Sequence, residues 1–253
     1  MRGSLSHAHA ARSVVPVARM STVDLIVIEL RKAILQGHLA VGGPIGEIEI
    51  ASQLGVSRGP LREAAQRLVQ EGLLVSIPGR GLRVRRIPVA EVPDLYEARY
   101  AVEAHAVARL AAEPAVVAVA ELEAALARLV AVSTGDEAIV IGDADIAFHR
   151  TLVELIDSPR LLRTMETLLA ETRIASLSAP DGYHVRRTVS TTYRALIDAI
   201  RAGDGEAGCA ALRRQFDDAV ARITGEDDAT ETVDAAPSDA PATFSPIEHD
   251  AEL

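Results

Sequence analysis

The segment 47–69, EIEIASQLGVSRGPLREAAQRLV, constrains what this chain can fold into more than any other stretch. Gly55 divides it into two short helical runs. In the second run Leu61, Ala65, Leu68 and Val69 recur on one helix face, while Arg58, Arg62 and Arg67 fall on the other. The first stripe can pack on a core and the second can present guanidinium groups. Two short helices with such a second member are the parts of a helix-turn-helix. Its second helix lies in the DNA major groove, where guanidinium groups reach phosphates or the O6 and N7 of guanine. The segment therefore predicts a DNA reader.

The flanks agree. Val23, Ile26, Leu30, Ala33 and Ile34 predict a helix over 22–36, stopped by Gly37. A loop through Gly42, Gly43 and Pro44 leads to a helix over 47–54, and Ser57 is placed to N-cap the next, which runs to about Glu71. Two β-prone runs, 73–77 and 82–84, flank Pro78-Gly79-Arg80-Gly81, a turn signal. They predict a hairpin wing made basic by Arg80, Arg83, Arg85 and Arg86. After a short linker over 87–92, the rest reads as six helices, near 93–112, 114–132, 136–157, 159–176, 183–202 and 204–223, with breaks at Pro, Gly and Ser-Thr-Gly clusters. The expected fold is mainly α: a winged helix-turn-helix over 21–86 followed by an all-α six-helix bundle over 93–223. A flexible arm over 1–20 and a disordered acidic tail over 224–253 complete the expectation.

Charge is distributed to match. The formal net charge is −10, which taken whole argues against nucleic acid. Yet residues 21–88 hold nine basic and six acidic groups, whereas 225–253 hold nine acidic and no basic ones. Affinity for phosphates depends on local charge. No apolar run approaches the roughly 20 residues of a membrane span, so no membrane partner is expected. The single cysteine, Cys209, cannot form an internal disulfide, and a reducing cytoplasm is the expected setting.

The run GVSRGPLREAAQRLVQEGLL, followed by YEARYAVE, DADIAFHRTL and ALIDAIRAGD in that order, resembles the GntR family of bacterial transcription regulators, in its FadR-type subfamily with a helical effector-binding domain. The likeness spans about four-fifths of the chain. It implies that Ser57, Arg58, Gly59 and Arg62 contact a double-stranded DNA operator, with Gly79 at the wing tip near the minor groove. It also implies a homodimer and a small carboxylate effector. The chain departs from the family's pattern at Ile48, where relatives often carry Arg.

Each candidate has a plainer alternative. Arg67 can cover the helix surface instead of touching DNA, and Arg80 can be a solvated turn charge instead of a phosphate contact. Asp145 and His149, four apart, share a helix face and could grip a divalent cation such as zinc; the alternative is a helical charge pair. The resemblance adds an Asp and a His at this spacing plus two further histidines, whose positions fall here on Tyr193 and Gln215. A phenol and an amide are poor zinc ligands, so a weakly held metal at most is expected, with Tyr193 and Gln215 meeting the effector directly. Arg99 matches an arginine that faces the effector cavity in relatives, and a guanidinium fork suits a carboxylate; its alternative is a salt bridge to Glu103. Arg173 is a second candidate of that kind. His105 and His184 are read as surface or core histidines.

Two rival functions follow from the same residues. One is a metal-dependent helical hydrolase, disfavoured because no nucleophile has a partnered base. The other is an effector-independent dimeric DNA-binding protein. The expectation is a regulator and not an enzyme.

Overall fold

The computed structural model describes residues 20–135, 137–178 and 190–225. The arm expected over 1–20 (except Met20), His184, the start of the helix expected over 183–202 and nearly all of the acidic tail lie outside the described residues.

Helix α1 (Thr22–Leu35) starts where the sequence supplies a cap. The Ser21 hydroxyl accepts from the Asp24 N–H at 3.1 Å, and the Asp24 carboxylate accepts from the Ser21 N–H at 3.0 Å. This reciprocal capping satisfies donors that the first helical turn leaves open. Ile26, Val27, Leu30, Ala33 and Ile34 face inward. Helices α2 (Glu47–Gln53) and α3 (Arg58–Gln70) follow, joined at Gly55 with φ +63°, a backbone angle that favours glycine. Leu61, Ala64, Ala65 and Leu68 seat α3 on α1 and α2.

Ser57 stands at the cap of α3 with extended backbone, but its side chain makes no capping bond. Of the two N–H groups such a cap can reach, that of the third helical residue is missing, because that residue is Pro60. The Ser57 hydroxyl is left exposed at the helix tip.

Strands β1 (Leu74–Ile77) and β2 (Gly81–Val84) pair antiparallel, with Leu74 opposite Val84 and Ile77 opposite Gly81. The first strand starts one residue later than expected, because the Leu73 N–H still closes the turn onto Leu68 O at 2.9 Å. The loop at 42–45 lies along the other edge of β2, with Ile45 N donating to Leu82 O at 2.8 Å and Val84 N to Gly43 O at 3.0 Å. The wing therefore has a braced base and a free tip.

The expected linker at 87–92 is shorter in fact. A 3₁₀ turn at Val89–Glu91 runs into α4 (Val92–Ala112), whose early Pro93 suits a helix start. Helices α5 (Val116–Ser133), α6 (Ala138–Glu154), α7 (Pro159–Leu177), α8 (Ser190–Ala202) and α9 (Gly205–Thr224) complete the chain's helical bundle. Thr224, expected in the tail, is the last residue of α9. Helix α4 packs along α9 and α7, α8 along α9 and α5, and α6 along α5 and α7. The α4–α9 approach is close: a Cβ added at Gly208 would stand 2.7 Å from Val107 Cγ1.

Helix α7 joins the bundle to the winged part. Arg85 Nη1 donates to Glu171 Oε1 at 2.8 Å. Arg173, 2% exposed, donates from Nε to Leu35 O at 3.0 Å and from Nη2 to Ile139 O at 3.1 Å, and pairs with Asp143 at 2.9 Å. Leu35 O is one of the last carbonyls of α1, which lack a partner within their own helix, and a cation there opposes the helix dipole. Replacing Arg173 with Leu leaves both carbonyls without this donor and is expected to cost about 2–3 kcal/mol of stability. Urea unfolding of the purified variant checks this; an unchanged midpoint would show the tie to be dispensable.

Candidate functional site

Two features carry chemistry: the exposed face of α3 with the wing, and a polar cavity inside the bundle.

On α3, Ser57, Arg58, Gly59 and Arg62 are exposed together at the N-terminal end. The Glu47 carboxylate at the start of α2 holds both arginines, with Arg62 Nε at 2.7 Å and Arg58 Nη2 at 3.8 Å. Such exposed pairs contribute little stability, but they hold long side chains extended. Sequence reasoning missed Glu47. Arg67 points elsewhere: its guanidinium bonds Asp24 of α1 at 2.7 Å and Glu63 at 2.9 Å. It braces α1 against α3, a tie that the sequence reading, which offered DNA contact or cover of the helix surface, did not include. Ile48, the position at which the sequence departs from the pattern of the family resemblance, is exposed on α2. In the wing, Gly79 and Arg80 are exposed at the tip, while Arg83 is turned back onto Gly42 O and Arg85 onto Glu171. The basic character of the free wing thus rests on Arg80 and Arg86.

The bundle cavity, about 60 Å³, is lined by Arg99 of α4, Asp145 and His149 of α6, Tyr193 of α8, and Gln215 and Arg222 of α9, among others. By the roughly 10–15 Å³ that one water needs, it has room for about four to six waters. Arg99 is 1% exposed, its guanidinium 5.0 Å from the Tyr96 ring centroid and 4.6 Å from that of Phe216. Its edge bonds Glu103 Oε1 at 2.9–3.0 Å. Burial works against the charge, but Glu103, Tyr96 and Asp145 together outweigh it, and the Arg99 guanidinium is held above its ordinary value and stays ionised. The salt-bridge alternative for Arg99 is therefore what the geometry contains, with the group still at the cavity wall. Arg173 does not line the cavity; its donors are committed to α1 and α6, because its neighbour Thr172 takes the cavity-facing position on α7.

From Glu103 a chain of polar contacts crosses the bundle. His149 Nδ1 lies 2.5 Å from Glu103 Oε2, and His149 Nε2 lies 3.3 Å from the Tyr193 hydroxyl, which donates to Asp145 Oδ1 in a short bond. Burial first, and then the Asp145 charge, push the Tyr193 phenol well above its ordinary 10.0, so it stays protonated and donates. The phenol thus stands between the two residues that a cation would have to bridge. The Gln215 amide nitrogen is turned to Thr192 O at 3.1 Å. Among the described residues, no three His, Cys, Asp or Glu side chains are grouped to hold a metal ion. The residues at this site do not fit the metal that the family resemblance implies.

Sequence reasoning also missed Arg222. The signal was present: Gln215, Ala219 and Arg222 stand at i, i+4 and i+7, one face of α9, and all three line the cavity.

Comparison with known proteins finds a family match for each of the two parts of the chain. The profile described as "Bacterial regulatory proteins, gntR family" matches residues 22–84, and that of the "FCD domain" matches 94–226. A probable D-xylose utilization operon transcriptional repressor from Paenarthrobacter nicotinovorans is 33% identical over 183 residues, 72% of this chain and 78% of the relative. A gluconate operon transcriptional repressor from Bacillus licheniformis is 24% identical over 82% of this chain and 87% of the relative. The crystal structure of a putative transcriptional regulator GntR from Rhodococcus sp. RHA1 superposes with a TM-score of 0.68 at 30% identity, covering 81% of this chain and 99% of that one. The chain belongs to the GntR family of transcriptional regulators, with an FCD domain as its helical part.

Two predictions follow from this geometry. Arg58→Ala is expected to weaken specific operator binding by about 1–3 kcal/mol, the usual worth of a bidentate base contact, whereas Arg80→Ala weakens all sequences alike and flattens the salt dependence. Fluorescence anisotropy at several salt concentrations separates them, and wild-type affinity in Arg58→Ala would misplace the recognition helix. For the cavity, elemental analysis is expected to find less than one zinc per chain, and Tyr193→His combined with Gln215→His to raise zinc affinity by orders of magnitude. Stoichiometric zinc in the unmodified protein, lost on His149→Ala, would overturn this.

Proposed function

We propose that this GntR-family regulator binds a palindromic operator as a homodimer and that a small organic acid in the bundle cavity changes its affinity for that operator. The observation that carries the reading is the position of α7. Thr172 of this helix lines the cavity, and its neighbours Glu171 and Arg173 hold the winged part. A ligand can shift DNA affinity only by binding two arrangements of the chain unequally, and α7 touches both features whose arrangement must differ. Arg222 supports an acidic ligand: it lines the cavity and forms no ion pair among the described residues. Ser57, Arg58, Gly59 and Arg62 read the operator, with Gly79 and Arg80 at the backbone beside it; Arg67 contributes through its brace on α1. The relatives described as D-xylose utilization and gluconate operon repressors support repression as the mode.

The test is capture of genomic DNA fragments by the purified protein, repeated with a panel of small carboxylates. A palindromic consensus whose retention changes with one acid is expected; retention that no acid alters would leave a constitutive DNA-binding protein. Light scattering at micromolar concentration is expected to give a homodimer, because half-sites about one helical turn apart need two recognition helices held together. A monomer both free and on DNA would exclude this mode of reading.

A further inference from the structure

Gln215 is one of the residues lining the cavity, and its carbonyl oxygen is buried with no hydrogen-bond partner among the described residues. The orientation of this amide is fixed by its other end, since only the nitrogen can donate to Thr192 O. The Gln215 side chain is 4% exposed, and an acceptor so buried carries the full cost of lost hydration unless a donor reaches it. The neighbouring donors are otherwise engaged. Tyr193 gives its proton to Asp145, and the edge of Arg99 is taken by Glu103 and Thr172. Thr192 Oγ1, the other buried orphan among the described residues, belongs to a residue that does not line the cavity.

Resting on the acid-effector reading above, we infer that the cavity selects a hydroxy carboxylate, its anionic end on Arg222 and its hydroxyl donating to Gln215 Oε1, with no metal between ligand and protein. Arg222 lies two helical turns after Gln215 on the same face. Helical side chains lean toward the N-terminus, so the long Arg222 chain reaches back over the cavity. Its charge acts on the phenols of both Tyr96 and Tyr193, which places it at the same opening. Asp145 repels a second carboxylate, which sends the ligand's anionic end toward Arg222. A hydroxyl suits Gln215 better than an ammonium does. The amide offers no charge to offset desolvation of a cation, and the cavity already holds two guanidinium groups. A family site built on histidines would take the ligand through a metal; here an amide and a phenol in those places read it by hydrogen bonds.

The test uses the full-length protein and isothermal titration with hydroxy acids of two to six carbons. Each is matched by the acid lacking the hydroxyl, by the amino acid and by the diol lacking the carboxylate, all with chelator present. At least one hydroxy acid is expected to bind about tenfold or more tighter than its unsubstituted match. Gln215→Leu should erase that preference while retaining acid binding, and Arg222→Leu, at a partly exposed position, should remove binding of all acids. Equal affinity for hydroxy and unsubstituted acids, a preference that persists in Gln215→Leu, or stronger binding of the amino acids overturns this inference and leaves the acid-effector reading standing. Binding of the diols alone, or of nothing in the panel, overturns both.

Discussion

The buried carboxylate of Glu103 is the interaction on which the bundle depends. It sits at 0% exposure in the middle of α4, where an unpartnered charge would cost several kcal/mol. Arg99, one turn earlier on α4, takes one oxygen and His149 of α6 takes the other. Each of these partners is committed in turn: Arg99 between the rings of Tyr96 and Phe216, and His149 toward Tyr193 of α8, which reaches Asp145. Four helices are thus registered by one charge that cannot be left alone. The cavity lies along this chain, lined by Arg99, Asp145, His149 and Tyr193.

The same chain answers the question of the metal in physical terms. A divalent cation needs several anionic or imidazole donors whose lone pairs point to one spot. Here Asp145 and His149 do point toward one spot, and the oxygen found there belongs to Tyr193. The phenol supplies a donor to Asp145 without adding charge.

Much of this was legible in the sequence. The spacing of Leu61, Ala65 and Leu68 against Arg58 and Arg62 gave the recognition helix and its exposed face, because a helix seated on one side must show the other. The Pro-Gly turn gave the wing, and Pro and Gly breaks gave the described ends of the bundle helices to within a few residues, the start of the helix expected over 183–202 lying outside the described residues. What escaped was pairing over long separations. Nothing local to Arg67 says that Asp24 will hold it, nor near Arg173 that its fork will reach the end of α1. Arg99 was open between ligand and salt bridge because i,i+4 spacing permits Glu103 without requiring it. The Ser57 side chain makes no cap, and the loss of one of its two possible donors was readable in Pro60, which has no N–H.

The two ties from α7 to the winged part differ in what they demand of the other side. Glu171 needs an arginine at position 85, so that contact depends on sequence. Arg173 bonds the main-chain oxygen of residue 35, which any amino acid supplies. A winged part from another family member grafted onto this bundle would therefore keep the deeper contact whatever its sequence, provided its first helix ended at the same place. Only the pair at 85 and 171 would have to be matched by hand. The junction is built to tolerate exchange of its DNA-reading half, and helix length, more than residue identity, sets which halves are interchangeable.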